Sequence, residues 1–344
     1  MRRKLMAGAA GLAVLVLAGC GGDHHDDDFT VPGGAVRLQS TNDALRELGN
    51  ISTTADLVNV SSAATPSVSA APAARAFGPR QMAHRLAHPA DARARVALLP
   101  RAATSCAAGG TDNIVNSGSK TYSFNYFSST GTVNFETHAY SGCATGNSDG
   151  SVTTLDNQLE SGSTADSSAG YVLSGTGNTP LRVRTSETSG SNSFLADQGL
   201  LGVLQLVNGT TTTDTRATLN TTLNVQETGF SDYHGSFALG SGSSFYQVIS
   251  GDSSIAIAGD YGYTSNVDGC GGGIVTVSTP ATLVLGTTSA GDSLPVGGAL
   301  KIISGSGNVT FTFNADGSAT LSGSIGGTLD AGSVGQVLQN GSSC

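Results

Sequence analysis

Residues 309–321 read Val309-Thr310-Phe311-Thr312-Phe313-Asn314-Ala315-Asp316-Gly317-Ser318-Ala319-Thr320-Leu321. Alternation with a period of two puts Val309, Phe311 and Phe313 on one face of a strand and the threonines on the other. The Asn-Ala-Asp-Gly cluster then supplies the local hydrogen bonds and positive φ that a tight reversal needs. The stretch predicts a β-hairpin.

The same period spreads outward from this hairpin. Val275 and Val277 flank Thr276, Ile255 and Ile257 flank Ala256, and Leu181 and Val183 alternate with Arg182 and Arg184. Leu219, Leu223 and Val225 lie in a Thr- and Asn-rich run. Val133 and Phe135 flank Asn134, and Tyr122, Phe124 and Tyr126 alternate with Ser123 and Asn125. Turn clusters separate these runs, among them Ser128–Gly131, Asn147–Gly150 and Gly175–Asn178. Alternation rich in Val and Thr is the pattern of half-buried strands. The fold class is therefore all-β, with roughly a dozen strands over residues 106–344. Short connections favour an antiparallel meander, forming a sandwich or a barrel-like domain. No clear repeat supports a solenoid or propeller. One window, Leu195–Val207, fits a buried strand or a short helix equally well, because its apolar run has no period.

Composition agrees. The chain has 344 residues with 48 Gly, 9 Pro, no Trp and 12% charged residues. Gly at this level works against helices. The absence of a G-X-Y period excludes collagen, and 38% hydrophobic residues with little charge argue against global disorder. Charge is split along the chain. Residues 1–105 hold 11 of the 16 Lys and Arg but 8 of the 25 Asp and Glu, a net +3, which leaves −12 for the remainder. A body of that charge repels phosphate backbones, so no nucleic-acid partner is expected.

At the N-terminus, Arg2, Arg3 and Lys4 precede an uncharged apolar run, Met6–Ala18, too short to cross a hydrocarbon core of about 30 Å. It ends in Leu17-Ala18-Gly19-Cys20. Residues 1–20 resemble the lipobox signal peptide of bacterial lipoproteins. The resemblance implies removal of signal peptide 1–19, thioether lipidation of Cys20 and acylation of its new amino group. It also implies a membrane partner held through that lipid. Gly21, in place of Asp, implies sorting to the bacterial outer membrane. Many lipoproteins of this kind have no characterised function.

Residues 20–105 are expected to form a lipidated, disordered, low-complexity tether with short helical pieces. Gly21–Asp28 is polar and cannot form a core. His24 and His25 there would bind metal only weakly, so no metal site is expected. Thr41–Gly49 has a polar cap, an apolar pair and a final Gly, which predicts one or two helical turns. Residues 62–75 are rich in Ala, Ser and Pro, and six arginines, with His84 and His88, follow over residues 75–101. That segment reads as a basic spacer, or as one lying on anionic headgroups.

Four cysteines remain in the exported part: Cys106, Cys143, Cys270 and Cys344. An even number in an oxidising compartment predicts disulfides. Of three pairings, Cys106–Cys143 with Cys270–Cys344 is preferred, since it ties the tether's end to the first hairpin and the C-terminus to the sheet. No C-x-x-C pair supports zinc.

Two motifs resemble catalytic signatures but lack their context. Gly146-Asn147-Ser148-Asp149-Gly150 matches G-x-S-x-G, yet a strand-like run follows where a nucleophile elbow needs a helix. Gly291-Asp292-Ser293-Leu294 spells the block of the GDSL hydrolases, but His234 is the last histidine of the chain and so none follows it. A base for Ser148 or Ser293 would have to be His138 or His234. No cofactor motif is present. The expected function is a non-catalytic binding, adhesion or structural module with an envelope protein or glycan partner. The alternatives are a carrier of lipid or another envelope component on an apolar sheet face, and a secreted-type serine hydrolase. A hydrolase predicts a serine–histidine hydrogen bond, and a carrier predicts an open apolar face or cavity.

Overall fold

A computed structural model describes residues 34–62, 104–146, 151–189, 192–228, 232–241, 245–266, 270, 272–287 and 293–340. The described chain begins with helix α1 (Thr41–Ser62). It continues through β1 (Thr104–Ser105), β2 (Gly109–Phe124), β3 (Ser129–Gly146), β4 (Val152–Thr164), β5 (Ala169–Ser174) and β6 (Leu181–Ser189). Then come β7 (Asn192–Asn208), β8 (Thr212–Glu227), β9 (Tyr233–Leu239), β10 (Tyr246–Gly251) and β11 (Ser254–Ser265). The last strands are β12 (Gly272–Thr287), β13 (Ser293–Ser304), β14 (Gly307–Phe313), β15 (Ala319–Gly323) and β16 (Gly327–Leu329), before helix α2 (Ala331–Asn340).

All sixteen strands form one antiparallel sheet, an uninterrupted meander. Two positions in it are shared. β5 and β6 lie end to end between β4 and β7, and β9 and β10 lie end to end between β8 and β11. β1 and β16 end the strand order among the described residues, and side chains from β3 through β16 share one core with α1, in line with the expected all-β antiparallel meander. The hairpin at 309–321 forms as read: Phe313 faces Ala319, Asn314 N bonds Ser318 O at 2.9 Å, and Gly317 adopts φ +82°. The ambiguous window 195–207 belongs to β7, because neighbours on both sides satisfy its backbone groups along its whole length.

The main correction concerns residues 34–62, expected within the tether. They are the centre of the body. α1 packs against β5, β7, β8, β10 and α2, and Ala44, Leu48, Ile51, Ala55 and Val58 are buried with Leu204, Leu219, Val248, Ile302 and Val334 in one core. The helix runs for 22 residues rather than one or two turns. Residues 34–62 therefore belong to the body together with those from 104 on, rather than to the tether.

Residues 34–38 fasten the start of this segment. Ala35 bridges Ile274 in the parallel sense, and Ile274 N donates to Gly34 O at 3.1 Å. The Ser304 and Ser306 hydroxyls both donate to Val36 O at 2.7 Å, and Leu38 N donates to Ser306 Oγ at 2.8 Å. These contacts lie where β12 begins and β13 turns into β14. That end of the sheet is called the near end, and the opposite rim, with turns 125–128, 165–168, 209–211, 251–253 and 314–318, the far end.

Candidate functional site

The most ordered polar arrangement lies between α1 and the sheet. Asp43, Glu47, Asn50 and Thr54 follow one another at helical spacing and share one face. All four are buried, Glu47 and Thr54 completely. The facing strands offer Tyr246 on β10 and Tyr261 and Tyr263 on β11, the latter two on one face because they are two residues apart. The Tyr261 hydroxyl donates to Glu47 Oε2 at 2.8 Å and the Tyr263 hydroxyl to Glu47 Oε1 at 2.7 Å. Arg46 Nε adds a charged bond to Oε1 at 3.2 Å, and Asn50 Nδ2 lies 3.4 Å from Oε2. Thr54 Oγ1 and the Tyr246 hydroxyl are 2.9 Å apart. Burial, together with the neighbouring Glu47 charge, pushes the Tyr261 and Tyr263 phenols up, which keeps them protonated donors.

Asp43 starts the helix. Its carboxylate accepts from Gln39 N and Ser40 N at 3.0 Å, while Asp43 N donates to Ser40 Oγ, a reciprocal cap. Burial pushes its carboxyl up, but these bonds and the Arg46 charge outweigh burial and hold it below the usual range.

A second cluster sits on the β2–β3 ladder. His138 Nδ1 is 2.8 Å from Asp112 Oδ1 and Nε2 is 3.6 Å from Glu136 Oε2. Burial pulls the imidazole pKa down, yet the Asp112 bond and charge and the Glu136 charge more than offset it, so the pKa is raised. Tyr140 stacks on His138, and its buried hydroxyl has no hydrogen-bond partner among the described residues.

On the outer face a small aromatic core forms around Phe124, Val133 and Tyr171. The Tyr122 and Tyr171 rings stack at 3.8 Å. Glu160 accepts from Lys120 at 2.6 Å, Tyr171 at 2.8 Å and Thr137 at 3.0 Å. The β2–β3 tip is pinned across β7 and β8: Tyr126 N donates to Gln205, its hydroxyl meets Thr218, and Arg216 bonds Tyr126 O between the Phe127 and Phe245 rings.

An open cleft of about 540 Å³ lies at the near end, lined by Glu187, Phe194, Leu195, Gln226, Thr228 and Asp232 among others. It offers one ring, two carboxylates and several hydroxyl and amide groups.

Of the sequence-derived site residues, Cys106 and Cys143 are joined, with Cα atoms 5.2 Å apart. Cys270 is buried and disulfide-bonded; Cys344 lies outside the described residues, as do Cys20, His24, His25, His84, His88 and Ser148. Ser293 starts β13 at the far end, whereas both ring nitrogens of His138 face carboxylates. His234, on β9, bonds Asn224 through Nδ1 at 2.7 Å. The backbone of Ser293 thus starts β13 at the far end, opposite His234 at the near end of β9. Among the described residues, no group of three or more His, Cys, Asp or Glu could hold a metal, and no helix is long and apolar enough to cross a membrane. Sequence reasoning missed Arg46, Glu47, Tyr261 and Tyr263. The signal available was Ser40-Thr41-Asn42-Asp43, a capping pattern, followed by polar residues at helical spacing.

No protein-family model, curated protein or solved structure matches this chain.

Proposed function

We propose that this chain is a lipid-anchored lipoprotein of the bacterial outer membrane whose body serves as a non-catalytic binding, adhesion or structural module. Residues 34–62 carry the reading. The first described segment after the lipobox packs at the centre of the body, fixed by Glu47, Tyr261, Tyr263 and the Val36–Ser304/Ser306 bonds. A lipid on Cys20 thus holds a whole folded body through its core, as a displayed module requires. A carrier is supported less well, because α1 and α2 cover the apolar sheet face that cargo would use. A serine hydrolase is supported less well, because Ser293 opens β13 at the far end, whereas His138 lies midway along β3 and His234 at the near end of β9.

Metabolic labelling with a palmitate analogue tests the anchor. The wild type is expected to incorporate label and fractionate with outer membrane, and Cys20→Ser to lose both. Equal label in the two, or a wild type recovered in the cytoplasm with its leader uncut, overturns the reading.

A further inference from the structure

We propose that the near end of the sheet is held against the lipid surface while the far rim of turns points away from it, so that the body stands upright on its anchor. The proposal rests on the lipid anchor argued above and adds its geometry.

The place where the described chain begins carries it. Residues 34–38 lie along the near end, where Ala35 bridges Ile274 and Leu38 N donates to Ser306 Oγ. Gly34 therefore starts at the near end. Fourteen chain links separate Cys20 from Gly34. Fully extended they reach about 50 Å, at roughly 3.5 Å each, and a coil of that length spans about 20 Å. β12 has 16 residues, a rise of about 50 Å between the two ends. To bring the far rim to the bilayer, the links would have to run taut along the full height of the sheet. To bring the near end there, they need no extension.

The far rim carries Asp166, Asp252, Asp316 and Asp330, all exposed, and its described turns contain no Lys or Arg. Hydroxyl and amide bonds from Thr164 and Ser168 hold Asp166 down at about 2, so it stays ionised. Anionic headgroups repel such a rim. The near end carries Arg37, 3.6 Å from Asp43, and the carboxylates of Glu187 and Asp232 line its cleft, so charge does not separate the two ends and the orientation rests on where the described chain begins. In this orientation the near-end cleft faces the headgroups, and the far turns are what a protein or glycan meets.

The chain has no Trp, so one introduced indole reports from one place. Lipidated full-length Gln226→Trp (near) and Ala315→Trp (far) are incorporated into phosphatidylethanolamine–phosphatidylglycerol vesicles containing dansyl-phosphatidylethanolamine. Energy transfer from the near indole is expected to exceed that from the far one by about twofold or more, given the rise of about 50 Å between them. Thr188→Trp and Ser253→Trp form a second pair should either first variant fail to fold. Equal transfer, or stronger transfer from the far site, overturns the orientation while leaving the anchor intact. Wild-type protein that binds vesicles no better than Cys20→Ser overturns the anchor and the orientation with it.

Discussion

Glu47 is the residue on which the attachment of α1 depends most, and its replacement gives a graded test. It is fully buried and accepts two tyrosine hydroxyls and an arginine. Glu47→Ala would strand the Tyr261 and Tyr263 hydroxyls and leave Arg46 facing a void. Removing one member of a buried charged network costs about 3–5 kcal/mol. Glu47→Gln keeps the shape and one acceptor, so it loses the ionic character and one good bond, about 2 kcal/mol. With a urea dependence of about 2.5 kcal/mol per molar, the unfolding midpoint should fall by about 1.5 M for Ala and about 0.8 M for Gln. Tyr261→Phe removes a single donor and should fall below Gln in effect, near 1 kcal/mol. Far-ultraviolet circular dichroism against urea on Cys20→Ser protein reads all three. An Ala midpoint within about 0.3 M of the parent would show that α1 is held by apolar packing alone and that the polar seam is incidental.

Other outcomes follow from the remaining clusters. The raised His138 pKa means that its stabilising effect is fully present below its unfolded value of about 6.5 and is lost as pH rises through the folded value; His138→Gln should flatten that part of a stability–pH curve, and an unchanged slope refutes the ion pair. Breaking Cys106–Cys143, a sequence separation of 37 residues, should cost about 4 kcal/mol in the chain-entropy model, read as a lowered urea midpoint of Cys106→Ala/Cys143→Ala, with a midpoint equal to the parent's speaking against it. Gly259 sits at φ +113° opposite the break between β9 and β10, and a Cβ there would lie 2.5 Å from Phe245 O; Gly259→Ala should destabilise by about 2 kcal/mol or more, and a melting curve that does not move would mean that the break relaxes freely.

The strands were legible because each buries one face, and a one-sided burial writes a period of two directly into the residues, as at Val309, Phe311 and Phe313. Sheet order was legible for a related reason. Turn residues between short runs leave little alternative to neighbour pairing, and the described strands pair in that way except where β5 and β6, and β9 and β10, share a position. Sheet closure was not legible, since whether β1 meets β16 depends on accumulated twist and on what fills the inner face. That filling was the element read least well. The sequence of α1 is Ser-, Thr- and Asn-rich, and a search for an apolar stripe finds only Ala44, Leu48, Ile51, Ala55 and Val58, two of them alanines. Its second buried stripe, Asp43, Glu47, Asn50 and Thr54, looks like a solvated face until the tyrosines opposite are known. Nor do Tyr261 and Tyr263 announce a polar task, because alternate tyrosines in a strand read as ordinary core. The carboxylate and the phenols were each visible and each had a plain reading alone; only their pairing across more than 200 residues of chain gives either a purpose. A helix interior to a sheet can be this polar only if the sheet supplies donors in register. Any change that shifts β11 by one residue relative to β10 would then turn both tyrosines to the outer face and release the N-terminal segment. The anchor's mechanical connection to the body thus depends on strand register as much as on the helix itself.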